Sequence, residues 1–322
     1  MPPTTSLSPP SRPLRLLVTG AGGFIGGAVV RAALARGHQV TRVVRTGLAP
    51  VLAGTETIVA DLSVAGALEG TLVGVDAVIH CAASLAGGPD EQARDTLAAT
   101  TKLLAAMTGS GAARLVLVSS LAVYDYRALP AGARLDETSP LEGDAASRGP
   151  YVGAKLAQDQ LVRASALDWR IVRPGLVFGP GRGWFYHLGM PAPGGLWLAL
   201  AGGAELPLTH VDNCAGAILA AAEAPAGRVV ANIVDDHRPT RAAYMRALAA
   251  ATAPGTRVVD VPWPLLAAGG GVAHRLGLTP GMLHPARLAA RCKPLTYDNA
   301  VARQALGWRP AVPMPEALKT LS

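Results

Sequence analysis

Residues 15–26 read RLLVTGAGGFIG, and no other stretch restricts the chain so tightly. A short apolar run, Leu16-Leu17-Val18, meets Thr19. Glycines then fall at Gly20, Gly23 and Gly26, and an apolar helical pattern follows through Phe24, Ile25, Val29, Val30 and Leu34. The spacing predicts strand, tight turn, helix. Gly20 permits the turn, Gly23 lets a pyrophosphate approach the backbone, and Gly26 lets the helix pack on the strand. The helix N-terminus offers free N–H groups and a partial positive charge to an anion. The flanking strand and helix give the three glycines the context that a dinucleotide fingerprint requires.

The same alternation continues along the first half. Strands are expected at 15–19, 39–44, 57–60, 76–80, 114–119 and 169–173, with helices at 24–36, 91–109 and 151–167. The strands are near-continuous apolar runs such as Leu115-Val116-Leu117-Val118, as in parallel strands buried on both faces. This predicts an α/β fold, a Rossmann-type doubly wound parallel sheet with a smaller, discontinuous C-terminal substrate lobe. The expected division is a flexible tail at 1–13, a dinucleotide-binding domain at 14–177 and 210–236, and a substrate lobe at 178–209 and 237–322. Residues 179–209 are rich in Gly and Pro and read as loop with short elements. A helix at 211–223 and a strand at 228–234 follow.

Half of the 322 residues are apolar and 16% are charged, so the chain folds around a large core. The net charge of +7 comes from scattered arginines and not from a basic run, which argues against nucleic acid as a partner. Cys81, Cys214 and Cys292 are too few and too dispersed for a disulfide framework and suit a reducing compartment. Residues 1–13 lack the apolar segment of a secretory signal, and the apolar runs at 196–201 and 265–273 are too short to span a bilayer. A cytoplasmic protein with no membrane partner is expected. His80 reads as a hydrogen-bonded structural histidine, the other histidines form no metal pattern, and Asp235-Asp236 reads as an exposed loop pair, so no metal is expected.

The chemistry is concentrated in Tyr151-Val-Gly-Ala-Lys155. A Tyr and a Lys four apart lie on one helical face. A nearby ammonium lowers a phenol's pKa and fits Tyr151 as general acid or base on a substrate C–O group, while Lys155 holds cofactor ribose hydroxyls. Upstream, Ser119-Ser120 end a buried strand, where Ser120 is suited to hold the substrate oxygen for Tyr151. Cys81 borders the same crevice but has no adjacent base and is not read as a nucleophile. Trp184, Phe185, Tyr186 and His187 form an aromatic cluster after Gly181-Arg182-Gly183. They either line a substrate pocket or pack a glycine-rich loop.

Taken in order, these pieces resemble the extended short-chain dehydrogenases/reductases of the NAD-dependent epimerase/dehydratase type. The matching residues are TGAGGFIG at 19–26, Asp61-Leu62, His80-Cys81-Ala82-Ala83, Ser119-Ser120 with Tyr124, and Tyr151/Lys155. Arg173-Pro174-Gly175 runs into Val177-Phe178-Gly179-Pro180-Gly181, and His210-Val211-Asp212-Asn213 and Leu306-Gly307-Trp308 complete the series. The resemblance implies Ser120, Tyr151 and Lys155 as the catalytic set. It implies a cofactor site of Gly20, Gly23, Phe24, Ile25, Gly26, Asp61, Leu62, Cys81, Ala82, Ala83, Ser119, Pro174 and Val177, together with Tyr151 and Lys155. It also implies a substrate site reaching Ser84, Tyr124, Arg182, Trp184 and Tyr186, and a homodimer.

Three departures shape the expected reaction. Val44 stands where NAD-preferring members place an acid for the ribose 2′-hydroxyl, and Arg45 follows, a guanidinium suited to a 2′-phosphate. NADP(H) is therefore expected ahead of NAD(H). Glu205-Leu206-Pro207-Leu208-Thr209 lacks the arginine that pairs with a sugar-nucleotide diphosphate, although Arg182 and Arg291 stand in other loops. Leu121 and Ala122 follow Ser120 where the sugar dehydratases carry acids. The expected activity is an NAD(P)-dependent oxidoreductase acting on a carbonyl or secondary alcohol of a small metabolite. A nucleotide-sugar epimerase with retained NAD is the alternative, ahead of a non-catalytic NADP-binding regulator.

Overall fold

The computed structural model describes residues 12–47, 52–112, 114–185, 188–278, 281 and 284–321. The glycine fingerprint opens the fold: β1 (Arg15–Thr19), a turn, then α1 (Phe24–Ala35) and β2 (Gln39–Val44). β3 (Thr55–Val59) and β4 (Ala77–His80) follow. A long helical segment comes next, made of α2 (Pro89–Gln92), a π-helical stretch (Ala93–Ala98) and α3 (Ala99–Ser110), and leads to β5 (Arg114–Val118). After β6 (Arg134–Leu135) and α4 (Ala145–Arg148), α5 (Pro150–Ala164) carries Tyr151 and Lys155 into β7 (Asp168–Pro174). Seven strands form one parallel sheet in the order β12-β7-β5-β4-β1-β2-β3, where β12 is Val229–Ile233.

Alternating residues of each strand feed two separate cores, because successive side chains leave a strand on opposite faces. Leu16, Val18, Ile79, Val116 and Val172 point to the layer holding α1 and α6 (Val211–Glu223). Leu17, Val78, Leu115, Leu117 and Ile171 point to the layer holding α3 and α5. Crossovers on both faces are what a doubly wound sheet requires, and the strand order reverses between β1 and β4.

Much of the remaining chain packs around a separate apolar core that includes Phe178, Leu206, Leu208, Tyr244 and Met245, while the helix Ala300–Leu306 packs into the core shared by α1 and α6. β8 (Leu176–Phe178) pairs with β11 (Leu208–His210). The segment 179–209, expected to be mostly loop, contains a hairpin: β9 (Gly189–Ala192) and β10 (Leu196–Leu200) are antiparallel across a turn at Gly194-Gly195. Gly189 lacks the side chain that would strike the Leu198 carbonyl, so β9 and β10 approach where a bulkier residue would not fit. β13 (Arg257–Val261) completes that small sheet after α7 (Arg241–Thr252). α8 (Trp263–Arg275), α9 (Pro285–Cys292), β14 (Thr296–Tyr297), α10 (Ala300–Leu306) and α11 (Met314–Lys319) close the chain. Among the described residues no helix is long and apolar enough to cross a membrane.

Candidate active site

A cavity of about 580 Å³ runs along the carboxyl ends of β1, β2, β4 and β5. One end is lined by Val44, Arg45, Asp61, Leu62 and Asp95. The middle is lined by the glycine turn, and the far end by Ser119, Tyr151 and Lys155. The shape of the middle is set by the missing side chains. Gly20 has φ +65°, and a Cβ there would lie 2.7 Å from the Ala82 backbone nitrogen. A Cβ on Gly26 would lie 2.2 Å from the Gly20 carbonyl oxygen, so this glycine lets α1 close on the turn itself and not on the strand. The N-cap of α1 is Gly23, with no side-chain cap and no acidic residue in the first turn. The first-turn N–H groups thus lack a side-chain acceptor, as anion binding requires.

At the far end, Tyr151 opens α5 and Lys155 follows one turn later. The Ser120 hydroxyl oxygen accepts a hydrogen bond from the Ala122 backbone N–H at 3.1 Å, which leaves its proton for the Tyr151 oxygen. Burial pushes the Tyr151 phenol above its ordinary value, and the hydrogen bond with Ser120 works against that rise. The depression by Lys155 expected from the sequence is not found. Lys155 instead donates to the Val118 carbonyl at 2.8 Å and to Gln158 Oε1 at 2.9 Å. Burial lowers the Lys155 ammonium to about 8. The resting site thus holds a protonated phenol beside an ammonium that titrates close to neutrality. Ser119 lines the cavity, and its hydroxyl oxygen is buried with no hydrogen-bond partner among the described residues.

The nucleotide end is more crowded with charge than the sequence suggested. Val44 and Arg45 line the cavity as expected. Arg45, however, pairs with Asp95 at 2.8 Å, and Arg94 pairs with the same carboxylate at 2.7 Å. Arg94 and Arg45 hold the Asp95 carboxyl below its ordinary range. Asp95 was missed because 91–109 reads as a regular helix, whereas the π-helical turn at 93–98 carries a buried Asp95 to the cavity wall. Asp61 accepts a hydrogen bond from the Ser63 N–H, which lowers its carboxyl, and it lines the cavity with Leu62.

Phe24, Ile25, Cys81, Ala82, Ala83 and Arg182 also line the cavity. Arg182 reaches in from the segment after β8 and lies over the Phe24 ring at 4.9 Å. Burial pushes the Cys81 thiol up to about 12, which keeps it inert as a nucleophile. Several expected positions fall elsewhere. Tyr124 is wholly buried, donates to Asn232 Oδ1 at 2.8 Å, and lies under the Arg173 guanidinium, so it is a core residue and not part of the cavity wall. Pro174 is buried in β7, and Val177 packs against the first core. Ser84 is turned toward its own loop, donating to the Ala86 carbonyl and to Glu91. Trp184 is not on the cavity lining and packs edge-on against Trp197 at 4.8 Å. Tyr186 lies outside the described residues. Asp235, expected to be exposed, is buried and accepts from Thr209, the His210 N–H and Asn213.

Comparison with known proteins agrees with this architecture. Residues 20–183 match the family model described as NAD(P)H-binding. The chain is 30% identical to a 2-alkyl-3-oxoalkanoate reductase of Stenotrophomonas maltophilia (strain K279a), over 96% of this chain and 98% of that protein. It is 33% identical to a 3-diazoavenalumate denitrifying reductase of a Streptomyces species, over 93% and 97% of the two chains. Among solved structures, the UDP-Glc/GlcNAc 4-epimerase of Campylobacter jejuni superposes with TM-score 0.73 at 18% identity, covering 96% of this chain and 97% of that one. MoeE5 in complex with UDP-glucuronic acid and NAD gives 0.70 at 24%, covering 95% and 97%. At these identities the structural likeness is one of fold. With the glycine cradle, the Tyr151/Lys155 helix and two full-length reductase relatives in hand, the chain belongs to the NAD(P)H-binding family and is an extended short-chain dehydrogenase/reductase of the epimerase/dehydratase type.

Proposed function

We propose that the protein is an NADPH-preferring reductase that converts a ketone of a small carboxylate-bearing metabolite to a secondary alcohol. The observation that most supports this is the presence of a protonated Tyr151 and the Lys155 ammonium on the wall of one elongated cleft, with Ser120 behind the lining and hydrogen-bonded to Tyr151. Of the two full-length relatives, one is named a 2-alkyl-3-oxoalkanoate reductase, whose substrate carries a ketone and a carboxylate, and the other a 3-diazoavenalumate denitrifying reductase, whose name carries no ketone. NADPH held along the glycine turn by Gly20, Gly23 and the first turn of α1 would supply a hydride for the carbonyl carbon. Tyr151 gives its phenolic proton to the carbonyl oxygen, and Ser120 fixes that oxygen within reach. Lys155 gives its remaining N–H to a ribose hydroxyl. Arg45 takes a 2′-phosphate. In the same reading, 14–177 and 210–236 hold the cofactor while 178–209 and 237–322 choose the substrate.

The test is NADPH consumption with a series of 3-oxo acids, run alongside Tyr151→Phe. The substitution is expected to lower kcat by about 10²- to 10⁴-fold while NADPH affinity is unchanged. A Tyr151→Phe protein that keeps most of its turnover overturns the assignment. Tightly retained NAD, with an isomerised nucleotide sugar and no net cofactor consumption, replaces it by the epimerase reading.

A further inference from the structure

The ammonium of Lys155 ends a closed chain of buried side chains whose hydrogen-bond directions can all be deduced. Gln158, one turn further along α5, accepts from Lys155 through Oε1 and donates through Nε2 to Thr100 Oγ1 at 2.8 Å. The reverse amide orientation would set an NH₂ group against the ammonium, donor against donor. Thr100 places its own proton on the Thr96 carbonyl at 2.6 Å, so its oxygen only accepts from side chains. His80 Nε2, 3.0 Å from that oxygen, must therefore carry a proton. His80 Nδ1 then accepts from the Thr19 hydroxyl at 2.7 Å, and the Thr19 oxygen accepts from the Ala82 N–H at 3.4 Å. Gln158, Thr100 and Thr19 are fully buried, and His80 is 1% exposed. Because the Thr100 proton is fixed on a backbone carbonyl, the chain carries no proton onward. It is a brace and not a relay.

An ammonium has three N–H donors. The Val118 carbonyl and Gln158 take two, and Lys155 lines the cavity that would receive the third. We propose that Gln158, locked by Thr100 and His80, is a positioning residue that holds the Lys155 ammonium in place with a single N–H left for the cavity. The inference rests on the reading above only in assigning that N–H to the cofactor. The charged or titratable groups around Lys155 are Asp159 and Tyr151 on its own helix and His80 and Cys81 at the end of β4. Asp159 is already paired with Arg173 from β7.

The test needs no substrate. The chain has four lysines, Lys102, Lys155, Lys293 and Lys319, so ¹³C-labelled lysine gives a spectrum in which Lys155→Met assigns the Lys155 signal. In the cofactor-free native protein its Cε resonance is expected to titrate at about 8. Gln158→Leu removes the acceptor that stabilises the ammonium and should move the midpoint down by about one pH unit. Gln158→Glu should move it up. Thr100→Val frees the amide and should move it down by less, and it decides the matter if Gln158→Leu does not fold. A midpoint unchanged in folded Gln158→Leu and Gln158→Glu overturns the proposal. So does a wild-type midpoint at the ordinary lysine value. Turnover retained by Tyr151→Phe would instead overturn the reductase reading and leave this titration intact.

Discussion

In the proposed reading, one side chain favours NADPH over NADH, and its neighbours set how strongly. Arg45 lines the cavity directly after Val44, which stands where an acid would hold a ribose 2′-hydroxyl, and its guanidinium is paired with Asp95. A 2′-phosphate would therefore meet an arginine already oriented by a buried carboxylate, with part of its charge offset. Charge-assisted hydrogen bonds contribute about 1.5–3 kcal/mol each. Arg45→Ala should thus weaken NADPH binding by about 10- to 100-fold, with NADH changed much less. Fluorescence titration with both nucleotides measures the ratio, and an unchanged ratio refutes the assignment. The residue identities here were legible in sequence. The partner was not, because Asp95 reaches the cavity only through a π-helical turn that periodicity does not reveal.

At the scale of elements, the sequence marked the central strands most clearly, because β1, β4 and β5 carry apolar runs, whereas β2 (QVTRVV) and β3 (TETIV) are interrupted by polar residues. It said least about 179–209, where Gly189, Gly194 and Gly195 look like loop residues but serve a hairpin. The family pieces that seemed to be separate signatures are in fact joints between elements. Asn213 of the His-Val-Asp-Asn stretch donates to Asp235 and to the Val312 carbonyl. It also accepts from the Ala311 and Val312 N–H groups, while its own carbonyl accepts from the Trp308 indole. Likewise, the Arg173 of Arg-Pro-Gly is bound to Asp159 through Nε at 3.0 Å, with neither side chain exposed. This pair clips α5, and with it Tyr151 and Lys155, to β7. Removing one partner strands a buried charge, at a cost of about 3–5 kcal/mol. Asp159→Asn should therefore lower the free energy of unfolding by that order, measured by chemical denaturation. A loss under 1 kcal/mol would show that the pair is not what fixes the helix.

For the whole molecule, the site's buried ionisable groups make stability depend on pH in a direction that can be worked out. Burial lowers His80 to about 3, against an ordinary value of 6.5. Between those values the unfolded chain binds a proton that the folded chain excludes, so stability falls as pH drops through 6.5 toward 3. Burial raises Asp235 to about 6 despite its three hydrogen-bond donors. That group acts in the opposite sense, since the folded chain keeps a proton which the unfolded chain has lost, and its destabilising effect at neutral pH fades in acid. Lys155, at about 8, is charged in both states below pH 7 and drops out. These effects overlap between pH 6.5 and 5 with those of His210, lowered by burial, and Glu137, raised by burial, so the wild-type slope alone does not separate them. His80→Gln isolates the His80 effect, because Asp235, His210 and Glu137 are present in both proteins and cancel in the difference. From pH 6.5 to 5 the wild type should lose about 2 kcal/mol more stability than the variant, whatever the variant's stability at neutral pH. Parallel urea denaturation curves at the two pH values measure that difference. Equal losses in the two proteins would mean that His80 accepts a proton without unfolding, and that the neutral imidazole bridging Thr19 and Thr100 is not required by the fold. The slope thus tests, from the stability side, the neutral imidazole that the hydrogen-bond directions around Gln158 demand.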